Sequence, residues 1–402
     1  MRIRALVVIV VCATGMAGQT PDELRTMREA NRDFVLRDAV ERGGSDIPPL
    51  YRGLVEASEN KVGAAERDLQ QVLKSDPHSK DAYAAYEALG NMAFRSGLNR
   101  EALRWLEDAH ANFPDSDDMN NALPMFRALA GGGDMKVVRL RDSSVDSKNG
   151  LPVVINGKKV TYGFDTGGAQ SVMGEADAKM MGLQLTHVET RMRESSGTAI
   201  PGFDLAIAKD LVISGLHLRN VPFLVLKDTG EPFVHVPVGQ RGLIGLPVLI
   251  AMRAIRWEPT GGRCEFGPGV RVKGTPLQNL LFDGATPIVQ ASVEDRPLTF
   301  TLDTGATDTD LNEGFAKALP DLIKSGKKET RDITGYGGSN QYDSVLLGPT
   351  VFRVGGLNVT LKVPHVFPSH SLGKFDGNMG NDILDQAKSV TVDFEAMEMR
   401  LN

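Results

Sequence analysis

The chain has 402 residues, 41% of them apolar and 24% charged, with a formal net charge of −6. That length and apolar content allow two or three domains with ordinary cores, and the mildly acidic balance argues against nucleic acid as a partner. Two cysteines and seven dispersed histidines form no Cys-rich set and no His-Glu-x-x-His pair, so no metal site is expected.

Residues 1–18 read as a signal peptide. Arg2 and Arg4 precede an apolar run from Ala5 to Ala13, and Gly15-Met16-Ala17 provides small residues for cleavage. The run is too short to span a bilayer comfortably, and Val11 before Cys12 does not suit lipid attachment. The expectation is export to the periplasm or the medium, with no transmembrane anchor after processing. Loss of Cys12 leaves Cys264 as the sole thiol, which excludes an intrachain disulfide.

Residues 19–130 show helical periodicity and almost no strand signal. Leu89, Gly90, Ala93, Ala102, Leu106, Ala109 and Pro114 fall where a tetratricopeptide repeat places its small and apolar contacts. At an offset of 37 residues a weaker copy recurs in Gly53, Ala65, Leu69, Val72 and Pro77. A generic helical bundle with small packing residues is the plainer alternative, and both are α-helical. The Gly131-Gly132-Gly133 run in 131–134 is a natural flexible linker, which implies a helical domain that moves on its own. Such a domain offers a surface for a protein partner.

From residue 135 the pattern changes to short alternating runs. Leu151 to Val160 contains two such runs around Asn156-Gly157, a β-hairpin signal because both turn residues accept positive φ cheaply. Thr286 to Pro297 has the same layout around a different polar turn. Each hairpin leads into Asp-Thr-Gly, at Asp165-Thr166-Gly167 and Asp303-Thr304-Gly305. Short helix-like stretches follow, Glu175 to Met181 and Glu313 to Leu319, then polar Gly-containing segments at 193–202 and 334–340. Leu211 to Leu218 echoes Phe352 to Val359, each a strand, a Gly turn and a strand. Finally, Leu243-Ile244-Gly245 matches Asn378-Met379-Gly380, with the glycines 80 and 77 residues beyond the respective Asp. Four landmarks in the same order at nearly equal spacing point to an internal duplication, with lobes at 135–272 and 273–402.

In these residues the chain resembles the aspartic proteases of retropepsin and pepsin type: an apolar run, Asp-Thr-Gly, a flap, and two apolar residues before a glycine. The resemblance covers roughly residues 135–402 and implies two closed-barrel β lobes in one chain behind an all-α repeat, active as a monomer. It makes Asp165 and Asp303 the catalytic pair, with Thr166, Gly167, Thr304 and Gly305 locking the two loops together. Gly197, Tyr336 and Gly337 fall in the flaps and would cover substrate. Two adjacent carboxyls share one proton and so contain both an acid and a base, and no cofactor is required. The Gly-x-Ser-x-Gly elbow, the phosphate loop and the dinucleotide fingerprint of rival classes are missing.

Three positions depart from the family pattern. Asn378 stands where an apolar residue is preferred, which puts the support of the second loop in doubt. Gly168 and Ala306 stand where pepsin-like enzymes often carry a hydroxyl that bonds the carboxylate, so the dyad is expected to hold its protons to a higher pH. Asp308-Thr309-Asp310 opens like a calcium loop, but Glu313 and Leu319 occupy the positions that need Gly and Glu, and a solvated turn is the expectation. Two functions remain open: an endopeptidase acting on a peptide or protein substrate, and a non-hydrolytic peptide-binding scaffold.

Overall fold

The computed structural model describes residues 19–193, 199–230, 233–335, 338–369 and 373–402. An all-helical region from Pro21 to Gly131 precedes a β-rich region that contains two lobes, the fold class expected from the sequence. The expected leader at 1–18 and the residues Gly197, Tyr336 and Gly337, expected in flaps, lie outside the described residues. Among the described residues no helix is long and apolar enough to cross a membrane.

Local chemistry sets the helix boundaries. Thr20 and Glu23 form a reciprocal capping box at the start of Pro21–Glu29, and Ser79 and Ser116 cap Lys80–Arg95 and Asp117–Gly131. Helix Pro49–Ser58 packs on Val62–Ser75, and Lys80–Arg95 packs on Asn99–Asn112. Gly53 lets the first pair approach closely, since a Cβ there would lie 2.7 Å from Leu69 Cγ.

This helical layer is not free to swing. Val188, Phe203 and Leu205 of the first lobe belong to its apolar core, while Phe34 packs with Leu281, Ile288 and Phe375 of the second. The glycine run expected to be a loose joint is close-packed instead. Gly131 completes a helix, a Cβ on Gly132 would lie 2.5 Å from Ile207, and the carbonyl of Gly133 accepts from the buried Asn99 side chain at 2.9 Å. Small size at these positions serves contact, not mobility.

Arg95 ties the layer to the second lobe. The residue is 2% exposed, and its guanidinium donates to Gly284 O at 2.7 Å, Ala57 O at 2.5 Å and Asn60 Oδ1 at 3.3 Å and lies 4.3 Å from the centre of the Phe282 ring. Burial pulls its pKa down to about 9, so the cation persists at neutral pH.

The first lobe closes into a six-stranded barrel. The strand order is Leu216–Leu226, Ser171–Gly174, Gly242–Ile244, Lys158–Phe164, Leu151–Ile155 and Ala199–Ile213, which pairs back onto Leu216–Leu226. The second lobe repeats this order with His365–Val366, Asp310–Leu311, Gly377–Met379, Arg296–Leu302, Thr286–Val293 and Thr350–Val354. Two closed barrels were expected; the second is a half-barrel. The counterparts of the first lobe's two longest strands are broken where Pro349 and Pro364 fall, leaving separate ladders between Thr350–Val354 and Leu357–Leu361 and between Gly338–Leu346 and His365–Val366. Proline has no N–H to give a ladder, which accounts for the interruption. The pair Asp310-Leu311, expected in a solvated turn, is one of these strands.

A five-stranded sheet joins the lobes. Ala254–Trp257 of the first pairs antiparallel with Val390–Asp393 of the second, flanked by Arg263–Phe266, Ser143–Asp146 and Glu398–Leu401. Cys264 is buried in this sheet, and one apolar core runs through both lobes. Truncating Arg95 leaves the carbonyls of Gly284 and Ala57 without a charged donor, a loss of about 1.5–3 kcal/mol for each. Arg95→Ala is therefore expected to lower stability by about 3 kcal/mol or more, read as an earlier urea midpoint; an unchanged midpoint would contradict the docking role.

Candidate active site

Both Asp-Thr-Gly loops leave the ends of matched strands, Lys158–Phe164 and Arg296–Leu302, and they meet. The amide of Thr166 donates to Thr304 Oγ1 at 3.0 Å and the amide of Thr304 donates to Thr166 Oγ1 at 3.1 Å. Each hydroxyl also donates onward, Thr166 to Leu302 O at 2.7 Å and Thr304 to Phe164 O at 3.1 Å. Four hydrogen bonds related by a pseudo-twofold thus hold each loop to the strand that carries the other.

The lock sets the spacing of the two acids. A Cβ on Gly167 would lie 2.8 Å from Asp303 Cγ, and one on Gly305 would lie 2.7 Å from Asp165 Cγ. Each glycine passes under the opposite carboxyl, an approach closed to any larger residue. The acids are anchored through their own loops as well. Gly167 N donates to Asp165 Oδ1 at 2.8 Å, and Gly305 N and Ala306 N donate to Asp303 Oδ1 at 2.9 and 3.1 Å.

Support from behind follows the landmarks expected for it. The amide of Asp165 donates to Ile244 O at 2.9 Å and that of Asp303 to Met379 O at 3.0 Å. Gly245 N donates to Ser171 Oγ and Gly380 N to Thr309 Oγ1, both at 3.0 Å. A Cβ on Gly245 would lie 2.4 Å from the Gln170 carbonyl and one on Gly380 2.5 Å from the Asp308 carbonyl. Ser171, not singled out from the sequence, and Thr309, named there only within the calcium-loop-like run, carry equivalent roles. Their signal is register: each stands six residues beyond its Asp.

The doubt over Asn378 resolves in an unexpected way. The residue does not weaken the second loop; its Nδ2 donates to Asp303 Oδ2 at 2.9 Å, and its amide oxygen accepts from Thr301 Oγ1. Asn381 adds a bond from Nδ2 to Thr304 O at 3.0 Å. Neither side chain was expected at the site.

Asp165 is 8% exposed, whereas Asp303 is half-buried. Burial first, and then the neighbouring Asp303 carboxyl, push the pKa of Asp165 up to about 7, against the pull of the Gly167 and Gly168 amides. One proton is therefore retained by the pair in mildly acidic solution. Beyond the second loop, Arg331 reaches Asp308 at 2.6 Å. Among the described residues no cluster of three or more His, Cys, Asp or Glu is arranged to hold a metal ion.

Residues 151–248 match the family model described as aspartyl protease, so the first lobe is an aspartyl protease-like domain. The match contains Asp165, the residues that support it and Gly245. No curated protein matches the chain at a significant level.

Two outcomes follow from the geometry. Thr166→Val and Thr304→Val each orphan one backbone donor and one acceptor, an expected loss of about 2–4 kcal/mol apiece. In urea unfolding the double variant should lose less than the sum, because the network fails as a unit; strict additivity would contradict the lock. Asp165 binds its proton more tightly folded than unfolded, so its contribution to stability is full near pH 4 and is lost as pH rises through about 7. Asp165→Asn should leave Tm nearly unchanged below about pH 4 and raise it progressively toward pH 8, and a loss at pH 8 would contradict the buried, proton-sharing pair.

Proposed function

We propose that the chain is an aspartic endopeptidase that hydrolyses peptide bonds with a water held between Asp165 and Asp303. The observation that carries this reading is the close facing of two carboxyls, each lying over the glycine of the opposite loop, with Asp165 holding its proton to about pH 7. In the monoanion one carboxylate takes a proton from the water as its oxygen attacks the carbonyl carbon. The other carboxyl gives its proton to the carbonyl oxygen, forming a neutral gem-diol. The carboxyl that took the water proton then gives it to the nitrogen while the other carboxylate takes a proton from a gem-diol hydroxyl, so the C–N bond breaks, the C=O bond re-forms and the pair is again singly protonated. Acid and base are both supplied by the pair, so the reaction as written uses no further group.

The two hairpins whose strands are Leu185–Arg193 with Ala199–Ile213, and Lys327–Gly335 with Gly338–Leu346, stand where flaps are expected. In this reading an extended peptide lies beneath them and pairs with strand edges. The helical layer, with hairpins repeating at 37 residues, we take as tetratricopeptide-like, and the leader at 1–18 as directing export. These assignments rest on sequence pattern.

Hydrolysis needs the singly protonated pair, so the rate rises as the first proton leaves and falls as the second does. The falling limb is expected near the Asp165 value of about 7, giving activity from mildly acidic toward neutral pH. Incubating the mature chain with a mixed peptide library across pH should reveal internal cleavage. That cleavage should be blocked by a statine-type inhibitor and reduced by at least about 10³-fold in Asp165→Asn and in Asp303→Asn. Peptide binding with no cleavage at any pH, or an optimum near pH 2, would overturn the reading.

A further inference from the structure

Among the positions at which the two halves of the site differ is one matched pair of register partners. In the first lobe Gly163 and Leu243 are register partners, and a Cβ on Gly163 would lie 2.7 Å from Leu243 Cδ2. In the second lobe the same register sets Thr301 beside Asn378. An apolar pair has been replaced by a hydrogen-bonding one.

The replacement acts on one carboxyl only. Thr301 Oγ1 donates to Asn378 Oδ1, which commits the amide oxygen and leaves the amide nitrogen for Asp303 Oδ2 at 2.9 Å. An amide NH2 donates and does not accept, so it favours a carboxylate oxygen over one that carries a proton. At the equivalent place Leu243 offers Asp165 no donor, and Gly168 has no side chain to supply one. Asp165 is also the more buried of the two. We propose that Asn378, oriented by Thr301, is a positioning residue that fixes the ionised carboxylate on Asp303 and leaves the shared proton on Asp165. Asp303 is then the base toward water and Asp165 the acid toward the carbonyl oxygen, an assignment that rests on the hydrolytic reading above.

The other charges around this corner are compatible with that role. Asp310 is the register partner of Asn378 across the adjacent ladder, and its carboxyl is raised to about 6, chiefly by burial, with Asp303 among the smaller causes. Arg331 stands 3.8 Å from Asp310 and 2.6 Å from Asp308. A negative Asp310 works against a second charge on Asp303, and the Asn378 donor offsets it. Asp310→Asn is therefore the control that separates its titration from that of the pair.

The test uses a reagent that reads ionisation without turnover. A nitrophenyl glycidyl ether is esterified by a carboxylate: the carboxylate oxygen bonds a ring carbon, the ring C–O bond breaks, and the alkoxide takes a proton from water. With the mature chain at pH 5, peptide mapping is expected to find the ester on Asp303. In Asn378→Leu, which copies the first lobe, the preference for Asp303 should fall. The midpoint of labelling against pH should rise by about one to two units, the worth of one hydrogen bond to a charge. Thr301→Gly/Asn378→Leu, which transplants the whole Gly163–Leu243 pair, should behave alike and guards against misfolding from an imperfect fit; Thr301→Ser should retain the wild-type pattern.

Ester on Asp165, ester on neither residue, or a label and midpoint indifferent to Asn378→Leu would overturn the proposal. Label on Asp303 that depends on Asn378 in a chain that cuts no peptide would keep the ionisation assignment and remove the hydrolytic reading. Cleavage with label on Asp165 would do the reverse.

Discussion

The reciprocal bonding of Thr166 and Thr304 is the constraint on which the rest of the site depends. Two carboxyls left to themselves separate, because like charges at close range in a poorly solvated place repel. Here four hydrogen bonds cross between the loops, each joining a threonine hydroxyl to a backbone group that would otherwise be orphaned. The energy that holds the acids together thus comes from peptide groups, not from the acids. Proton sharing is the consequence, since a pair held this way relieves repulsion by retaining one proton.

Around that lock the molecule is more continuous than three separate modules. The lobes share a sheet through Ala254–Trp257 and Val390–Asp393, and the helical layer puts Phe34 and Arg95 into contacts with the second lobe and accepts Val188, Phe203 and Leu205 of the first. Val188 lies on the strand Leu185–Arg193, so the helices buttress the base of an element that we propose closes over substrate.

Much of this was legible in the sequence because it rests on local rules. Asn156-Gly157 lies in the left-handed region at φ of 47° and 80° and makes the hairpin it predicts. The short helices after each Asp are present at Glu175–Met180 and Glu313–Ala318, and motif and spacing together paired Gly245 with Gly380. What escaped depends on contact between distant segments. The glycines at 131–133 read as a joint because local flexibility and the need for close approach to Ile207 leave the same mark on a sequence. Asn378 read as a defect because a polar residue in an apolar landmark has no visible partner until Asp303 is folded against it. The one available signal was Thr301, which replaces Gly163 at the matched position. Prolines 349 and 364 marked where the second barrel would split, although the repeat pattern favoured a closed one.

The most direct measurement is a crystal structure of the mature chain with a statine-type inhibitor, whose hydroxyl stands in for the attacking water. The account predicts that hydroxyl within about 3 Å of both the Asp165 and Asp303 carboxyls, with the Thr166–Thr304 bonds intact. A hydroxyl bound away from the pair, or carboxyls facing separate pockets, would contradict it.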